Sequence, residues 1–472
     1  MPSTFLRAIA PVARIVPSVK KPERDPGFRG KFFWTIIVVV IYIIMSTVPL
    51  YGIEREAGVD IFWTLRVILA STRGTLAELG IGPIVTGGLI LEILVGSKMI
   101  NVDLTDPVER KLFNAANKAM AVIMTIFESI AYIAGGAYGT LSLGQELIVF
   151  AQLLFAGIII ILLDELIQKG WGFGSGISLF IVAGVAGRIA WSLFSVSIGD
   201  DDLYYGIIPA TIQVLINKDR SFRELILRYN APDLIGLLTT IGIAIIIIYL
   251  ESMVIEIPVE SSLYRFRFRY PIKFMYSSNV PVILAGALFA NIMFFSQLIW
   301  GRFEGNFFAS LLGSWVVENG RPIPTGGLAY YVVPPRGLLW SVEHIYQAIG
   351  YVILLTISCY FFSITWVEIA GIGAEQIAEQ LLASRLSIPG VRRTKSKMAE
   401  YLDPYIRTAA TLSGLLIGIV AGVADVLGAY ASGSGILLAV SILKGLYEEI
   451  ATKYAEEMTP FFKRMLLGPL AR

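Results

Sequence analysis

The sequence predicts an all-α polytopic membrane protein with about ten transmembrane helices in two inverted, pseudo-symmetric halves of five. Composition is the first reason: 56% of residues are hydrophobic and the mean hydropathy is +0.71. The charges collect between apolar runs instead of mixing with them, so the runs read as membrane spans and not as faces of a soluble core. An internal echo is the second reason. Gly174-Ser175-Gly176-Ile177 opens the fifth run and Gly433-Ser434-Gly435-Ile436 opens the tenth, and an odd number of spans between two copies turns the second upside down.

In chain order, residues 1–30 hold six cations and no apolar core, which predicts a cytoplasmic segment and no cleavable leader. A crossing helix needs about 20 apolar residues. Windows of that length fall near 31–51, 81–99, 113–138, 146–167, 175–197, 233–255, 280–300, 346–369, 406–424 and 430–450. The first five spans make an N-terminal half, 31–197, and the last five a C-terminal half, 233–450; an external loop, 198–232, joins them and a cytoplasmic tail, 451–472, follows. Between the first two spans the pattern breaks. The stretch 59–100 is interrupted by Thr72-Arg73-Gly74 and again by Gly80-Ile81-Gly82-Pro83, and its first piece, which carries Arg66, is too short to cross. In a membrane protein such a broken helix as a rule lines a cavity.

With residue 1 in the cytoplasm, about 27 of the 38 cations fall on the cytoplasmic side and about ten outside, so both termini are expected inside. Two cytoplasmic loops, about 256–279 and 370–405, stand out. Arg265, Arg267 and Arg269 alternate with aromatics at the period of a short ribbon, with Lys273 beyond them. Arg392, Arg393 and Lys395 follow a Pro-Gly turn. On the residues alone two readings stand: charge lying against anionic lipid, or a docking surface for a large anionic partner such as ribosomal RNA, whose phosphates bind arginine by charge-assisted contacts.

Several chemistries find no residues to use. One histidine, His344, and one cysteine, Cys359, leave no disulfide framework and no His/Cys metal site. The run from Gly170 to Gly176 lacks the Lys-Ser/Thr of a phosphate-binding loop, and neither Ser175 nor Ser434 sits in a nucleophile elbow. No cofactor, metal or catalytic residue is expected. Polar groups inside the spans are few: Thr86, Glu92, Glu128, Gln152, Arg188, Asn291 and Gln297. Ionisable groups at membrane depth are costly, which makes each a functional candidate. A secondary transporter with inverted repeats is the alternative, and it would converge carboxylates and helix ends on one midplane site.

The strings RGTLAELGIGPIVTGGLILEILVGS, GSGISLFIVAG, YPIKFMYSSNVPVILAGALFANI and GSGILLAVSI occur in this order and spacing over nearly the whole chain. Together they resemble the SecY family, the channel-forming subunit of the Sec protein translocon, in its archaeal-type branch. The resemblance implies a protein-conducting channel that passes unfolded polypeptides across the membrane and releases signal sequences and transmembrane segments sideways into the bilayer. It makes residues 58–73 a plug half-helix, with Asp60, Ile61, Phe62, Trp63, Leu65, Arg66, Ile68 and Leu69 its candidate residues. It makes Ile81, Val85, Ile177, Ile181, Ile283 and Leu438 a pore ring. Aliphatic side chains suit that task, since they close around any passing sequence and bind neither ions nor peptide strongly.

Thr86, Glu128 and Asn291 match the polar cluster of the lateral gate, and Arg265, Arg267, Arg269, Lys273, Arg392, Arg393 and Lys395 match loops that receive the ribosome. The implied partners are two small single-span subunits of SecE/gamma-like and beta-like type, the ribosome, signal sequences, nascent or unfolded polypeptides and membrane lipid, with the signal recognition particle receptor as a further candidate. The implied location is the plasma membrane.

Overall fold

The computed structural model describes residues 17–453 apart from 54–70, 97–98, 101, 103–106, 135–137, 139–140, 200, 217–220, 230, 262–266, 278, 304, 319–320 and 336. Among the described residues, eight helices are long and apolar enough to cross a membrane. The second and tenth expected spans are helical too. The former is only 15 residues long, and the latter carries Lys444, Glu448, Glu449 and Lys453 in its second half. The chain falls into two compact units, 1–188 with 442–472, and 189–441.

The first unit contains α1 (Gly27–Thr47), α2 (Gly82–Gly96), α3 (Pro107–Ala134), α4 (Leu143–Leu166) and most of α5 (Gly176–Phe194). Beyond Arg29 and Lys31 in its first turns, helix α1 is largely apolar. It buries Phe28, Val38, Tyr42 and Met45 along one stripe and exposes Phe33, Ile36, Val40 and Ile44 on the other, the pattern of a helix with protein on one face and lipid on the other. The Tyr42 ring stacks on Phe180 of α5 with centroids 4.6 Å apart. Helix α4 starts at Ser142 in a capping box with Gln145 and buries Val149, Leu153, Ala156, Ile160 and Leu163 at three-four spacing. Its Gln152 accepts from the Tyr51 amide at 2.9 Å and donates to the Tyr51 carbonyl at 3.0 Å, so this polar group in a span is a structural tie to the end of α1.

The break expected at Thr72-Arg73-Gly74 is a return to that same end. Leu50 donates to the Gly74 carbonyl at 2.9 Å, Leu76 donates to the Val48 carbonyl at 3.0 Å, and Pro49 bridges Thr75.

The second unit holds α6 (Ile207–Ile216), α7 (Leu234–Ser252), β1 (Val254–Ser261), β2 (Arg267–Lys273), α8 (Val280–Arg302), α9 (Phe307–Leu312), β3 (Ser314–Glu318), β4 (Arg321–Gly326), α10 (Gly327–Val332), α11 (Leu338–Glu343), α12 (Ile345–Ile369), α13 (Ala374–Ala383), β5 (Leu386–Ser387), α14 (Lys395–Val426) and the first part of α15 (Gly433–Lys453). An all-α chain is therefore relieved by two small sheets in its loops, ordered β2-β1-β5 and β3-β4. Helix α14 starts at Lys395, well before the expected 406, because its first turns are amphipathic. Met398, Ala399, Leu402 and Ile406 join Ile257, Val259, Ile272 and Leu381 in one buried cluster under the three-stranded sheet.

Helices α12 and α14 approach closely along Gly414, Gly418 and Gly422. A Cβ at Gly418 would stand 2.4 Å from Cα of Thr356. Small residues every fourth position let two membrane helices bring their backbones together, where dispersion does the work that the hydrophobic effect cannot do in lipid. Beside this seam Ser363 donates to the Ala410 carbonyl at 2.6 Å and its hydroxyl lies 2.8 Å from that of Ser277, which lies 3.0 Å from Ser413, all three serines being buried.

Candidate functional site

Three of the ring candidates, Ile177, Ile181 and Leu438, ride on helices whose heads carry the repeated Gly-Ser-Gly. In the first unit, Ile177 of α5 donates its amide to Asp164 of α4 at 3.1 Å, and Gln168 donates to the other oxygen of that carboxyl at 2.8 Å. In the second unit, Gly433 of α15 donates to Asp425 of α14 at 2.8 Å, and the Tyr351 hydroxyl donates to the same carboxyl at 2.8 Å. The two aspartates are 6% and 4% exposed. A helix N-terminus leaves amides unpaired and concentrates partial positive charge, so a buried carboxylate reaching across from the preceding helix satisfies both at once. The glycines make room for it: a Cβ at Gly176 would lie 2.5 Å from Asp164 Cα, and one at Gly433 would lie 2.1 Å from the Ala421 carbonyl oxygen. The echo in the sequence is thus an echo in structure. Reading the sequence missed Asp164 and Asp425, although an acid near the end of the apolar run before each Gly-Ser-Gly was there to find.

Ile81 is 1% exposed at the turn before α2, and Val85 follows one turn later, half-buried. Ile177 and Ile181 are one turn apart on α5, the second of them buried. These four belong to the first unit. Ile283, half-buried in the first turns of α8, and Leu438, fully buried in α15, belong to the second.

The gate candidates divide likewise. Thr86 of α2, whose hydroxyl donates to the Gly82 carbonyl at 2.9 Å, lies beside the Glu128 carboxyl of α3, both in the first unit. Asn291 is exposed on α8 in the second. Arg188 donates to the Ser71 carbonyl at 3.4 Å, next to the plug region. The plug candidates Asp60, Ile61, Phe62, Trp63, Leu65, Arg66, Ile68 and Leu69 lie outside the described residues, as does the side chain of Glu92.

The two arginine-rich loops, read separately in the sequence, form one structure. The ribbon is an antiparallel hairpin of β1 and β2, with Pro258 opposite Arg269, and β5 of the other loop pairs with β1 through Glu260 and Ser387. Arg269 is exposed and ion-paired with Glu256; Lys395 is paired with Glu379 at 2.8 Å. Lys273, Arg392 and Arg393 are exposed. Arg265 and the side chain of Arg267 lie outside the described residues. Exposed ion pairs are worth about 1 kcal/mol or less, so Arg269 stays available to a stronger anion.

The family model named SecY matches residues 75–447, and the model of the plug domain of Sec61p matches residues 40–74. A structure described as a protein-conducting channel is 34% identical, covers 95% of this chain and 98% of its own, and superposes with a TM-score of 0.78. Another, a SecY protein whose plug domain is said to stabilise the closed state and maintain a membrane seal, is 33% identical over 95% of this chain and 98% of its own, with a TM-score of 0.76. Sec61 in a canine ribosome-channel complex from the endoplasmic reticulum is 34% identical over the same shares, with a TM-score of 0.75. With the SecY model spanning 75–447, a plug domain ahead of it and a like fold over 95% of the length, the chain belongs to the SecY family.

Proposed function

We propose that this multi-pass membrane protein is the channel-forming subunit of a protein translocon, moving unfolded polypeptides across the bilayer and releasing signal sequences and transmembrane segments laterally. A channel subunit of this kind is not an enzyme. The observation that carries the reading is the joint match to SecY and to the Sec61p plug domain, and the bulky aliphatic side chains of Ile81, Val85, Ile177, Ile181, Ile283 and Leu438 are the pore ring of this proposal. Among the described residues, the polar groups Gln152, Asp164 and Asp425 serve as ties and helix caps within their own units, which is not how a transporter deploys them.

The plug is assigned to residues 58–73, and its test is deletion of 58–70 in reconstituted channels. Ion conductance in the absence of substrate is expected to rise several-fold; unchanged conductance would remove the plug from this proposal.

Both termini are placed in the cytoplasm of a cell whose plasma membrane holds the channel, as the distribution of Lys and Arg supports. On that side the three-stranded sheet presents Arg269 and the Pro-Gly turn presents Arg392 and Arg393 as the ribosome-docking surface. Arg269→Glu combined with Arg392→Glu is expected to weaken ribosome binding by at least tenfold and to flatten its dependence on salt, since each lost phosphate contact lowers the slope of log affinity against log salt by about one. Binding that keeps both its strength and its salt slope would discard the docking surface. The two small single-span subunits expected from the family are tested by co-purification with the tagged chain from its native membrane.

A further inference from the structure

The loop 198–232, read in the sequence only as an external connection between the halves, holds a built platform. Arg228 is 6% exposed and donates to both carboxylate oxygens of Asp201, at 2.8 and 3.0 Å, and to the carbonyls of Tyr204, Tyr205 and Pro232 at 2.9, 3.1 and 3.1 Å. Burial works against the charge on Asp201, but the Arg228 guanidinium outweighs it and holds the carboxyl below its usual range. Gln213 of α6 closes the same turn, accepting from the Tyr204 amide at 2.9 Å and donating to the Asp202 carbonyl at 3.2 Å. One face of α6, with Ile207, Ala210 and Val214, is packed on Leu193 of α5 and Leu234 of α7.

Among the described residues, nothing covers the other face. Ile208, Ile212, Leu215 and Ile216 are 40, 52, 70 and 73% exposed, at helical spacing, on a helix that carries no charge at all. At about 15 Å the helix is too short to cross a bilayer. What lies beside it names the occupant. Helix α5 ends with Trp191 and Phe194 about 60% exposed, and α7 begins with Leu238 at 69% and continues with Ile241 and Ile245 along the same apolar surface. Helix α6 is held against the ends of these two membrane helices, so its bare stripe continues the surface they turn to lipid. Tryptophan at the end of a span is at home at the depth of the headgroups.

We infer that α6 is an interfacial helix, lying along the bilayer surface on the side opposite the termini, with Ile208, Ile212, Leu215 and Ile216 in contact with lipid. Such a helix needs a strong apolar face and a fixed orientation. The buried Arg228, paired with Asp201, and the Gln213 clamp supply the second.

The single cysteine allows a direct test. In a Cys359→Ala background, spin labels are placed at Ile208→Cys, Ile212→Cys and Ile216→Cys, with Arg223→Cys as a water-facing site on the same loop and Ile245→Cys as a site within a span. In liposomes, labels on α6 are expected to collide with oxygen several-fold more often than with a nickel chelate, as at Ile245, while Arg223 shows the reverse. Nickel access on α6 matching that at Arg223 would overturn the inference by placing the stripe in water. Labels immobilised and shielded from both reagents, or broadened by a neighbouring label, would overturn it in favour of a protein partner or a second copy. A water-like Ile245 would instead sink the reading of α7 as a span.

Discussion

Gly418→Leu is expected to cost about 3 kcal/mol of stability, the upper part of the usual range for overpacking a tight interface. The obstacle is backbone, not side chain. A Cβ at Gly418 would fall 2.4 Å from Thr356 Cα, and one at Gly414 on the same stripe would fall 2.8 Å from the Cys359 carbonyl oxygen. No rotamer relieves such a clash, so α12 and α14 must separate along their length and give up the dispersion contacts that hold them. The serine chain from Ser363 through Ser277 to Ser413 crosses the same seam and would be pulled open with it. Gly242→Leu is the control, because a Cβ there meets nothing within 4 Å on α7. Thermal unfolding in detergent should show a clear drop for Gly418→Leu and none for Gly242→Leu. Equal midpoints would mean that the helix seam does not hold the second unit together.

Asp425→Ala is expected to cost about 2–3 kcal/mol, combining the loss of a helix cap with buried donors left unpaired. It strands the Gly433 amide and the Tyr351 hydroxyl in a place where water does not reach. Asp425→Asn keeps an acceptor oxygen in the same position and is expected to recover most of the loss. Asp164→Ala should behave the same way through the Ile177 amide. Because α5 carries Ile177 and Ile181 and α15 carries Leu438, a loosened cap is also expected to raise basal ion conductance in bilayers. A stable Asp425→Ala channel with wild-type conductance would show that the cap positions nothing.

The spans were legible because hydropathy and length decide them, and the echo of Gly-Ser-Gly-Ile was legible because both copies solve one packing problem. The arginine ribbon was legible as a hairpin from its alternation, yet its merger with the second loop was not. Strand β5 is only Leu386–Ser387, too short for any periodicity, and its pairing with β1 is set by the cluster of Ile257, Leu381 and Met398 below. The start of α14 was misplaced because a window tuned to hydrocarbon does not register an amphipathic turn that packs on a soluble sheet. Asp164 and Asp425 escaped because an acid at the end of a span looks like an interfacial charge until the helix it caps is in view. The platform around Arg228 escaped because its partners are backbone carbonyls, which no side-chain pattern reveals.

The join between Leu50 and Gly74 has a kinetic meaning. The plug proposed at 58–73 belongs to a segment joined at both ends, so its reseating is a unimolecular event governed by the length of chain between Leu50 and Gly74. Its closing rate is therefore independent of how many copies the membrane holds, and a severed backbone within that segment should slow resealing without altering the conductance of the open pore.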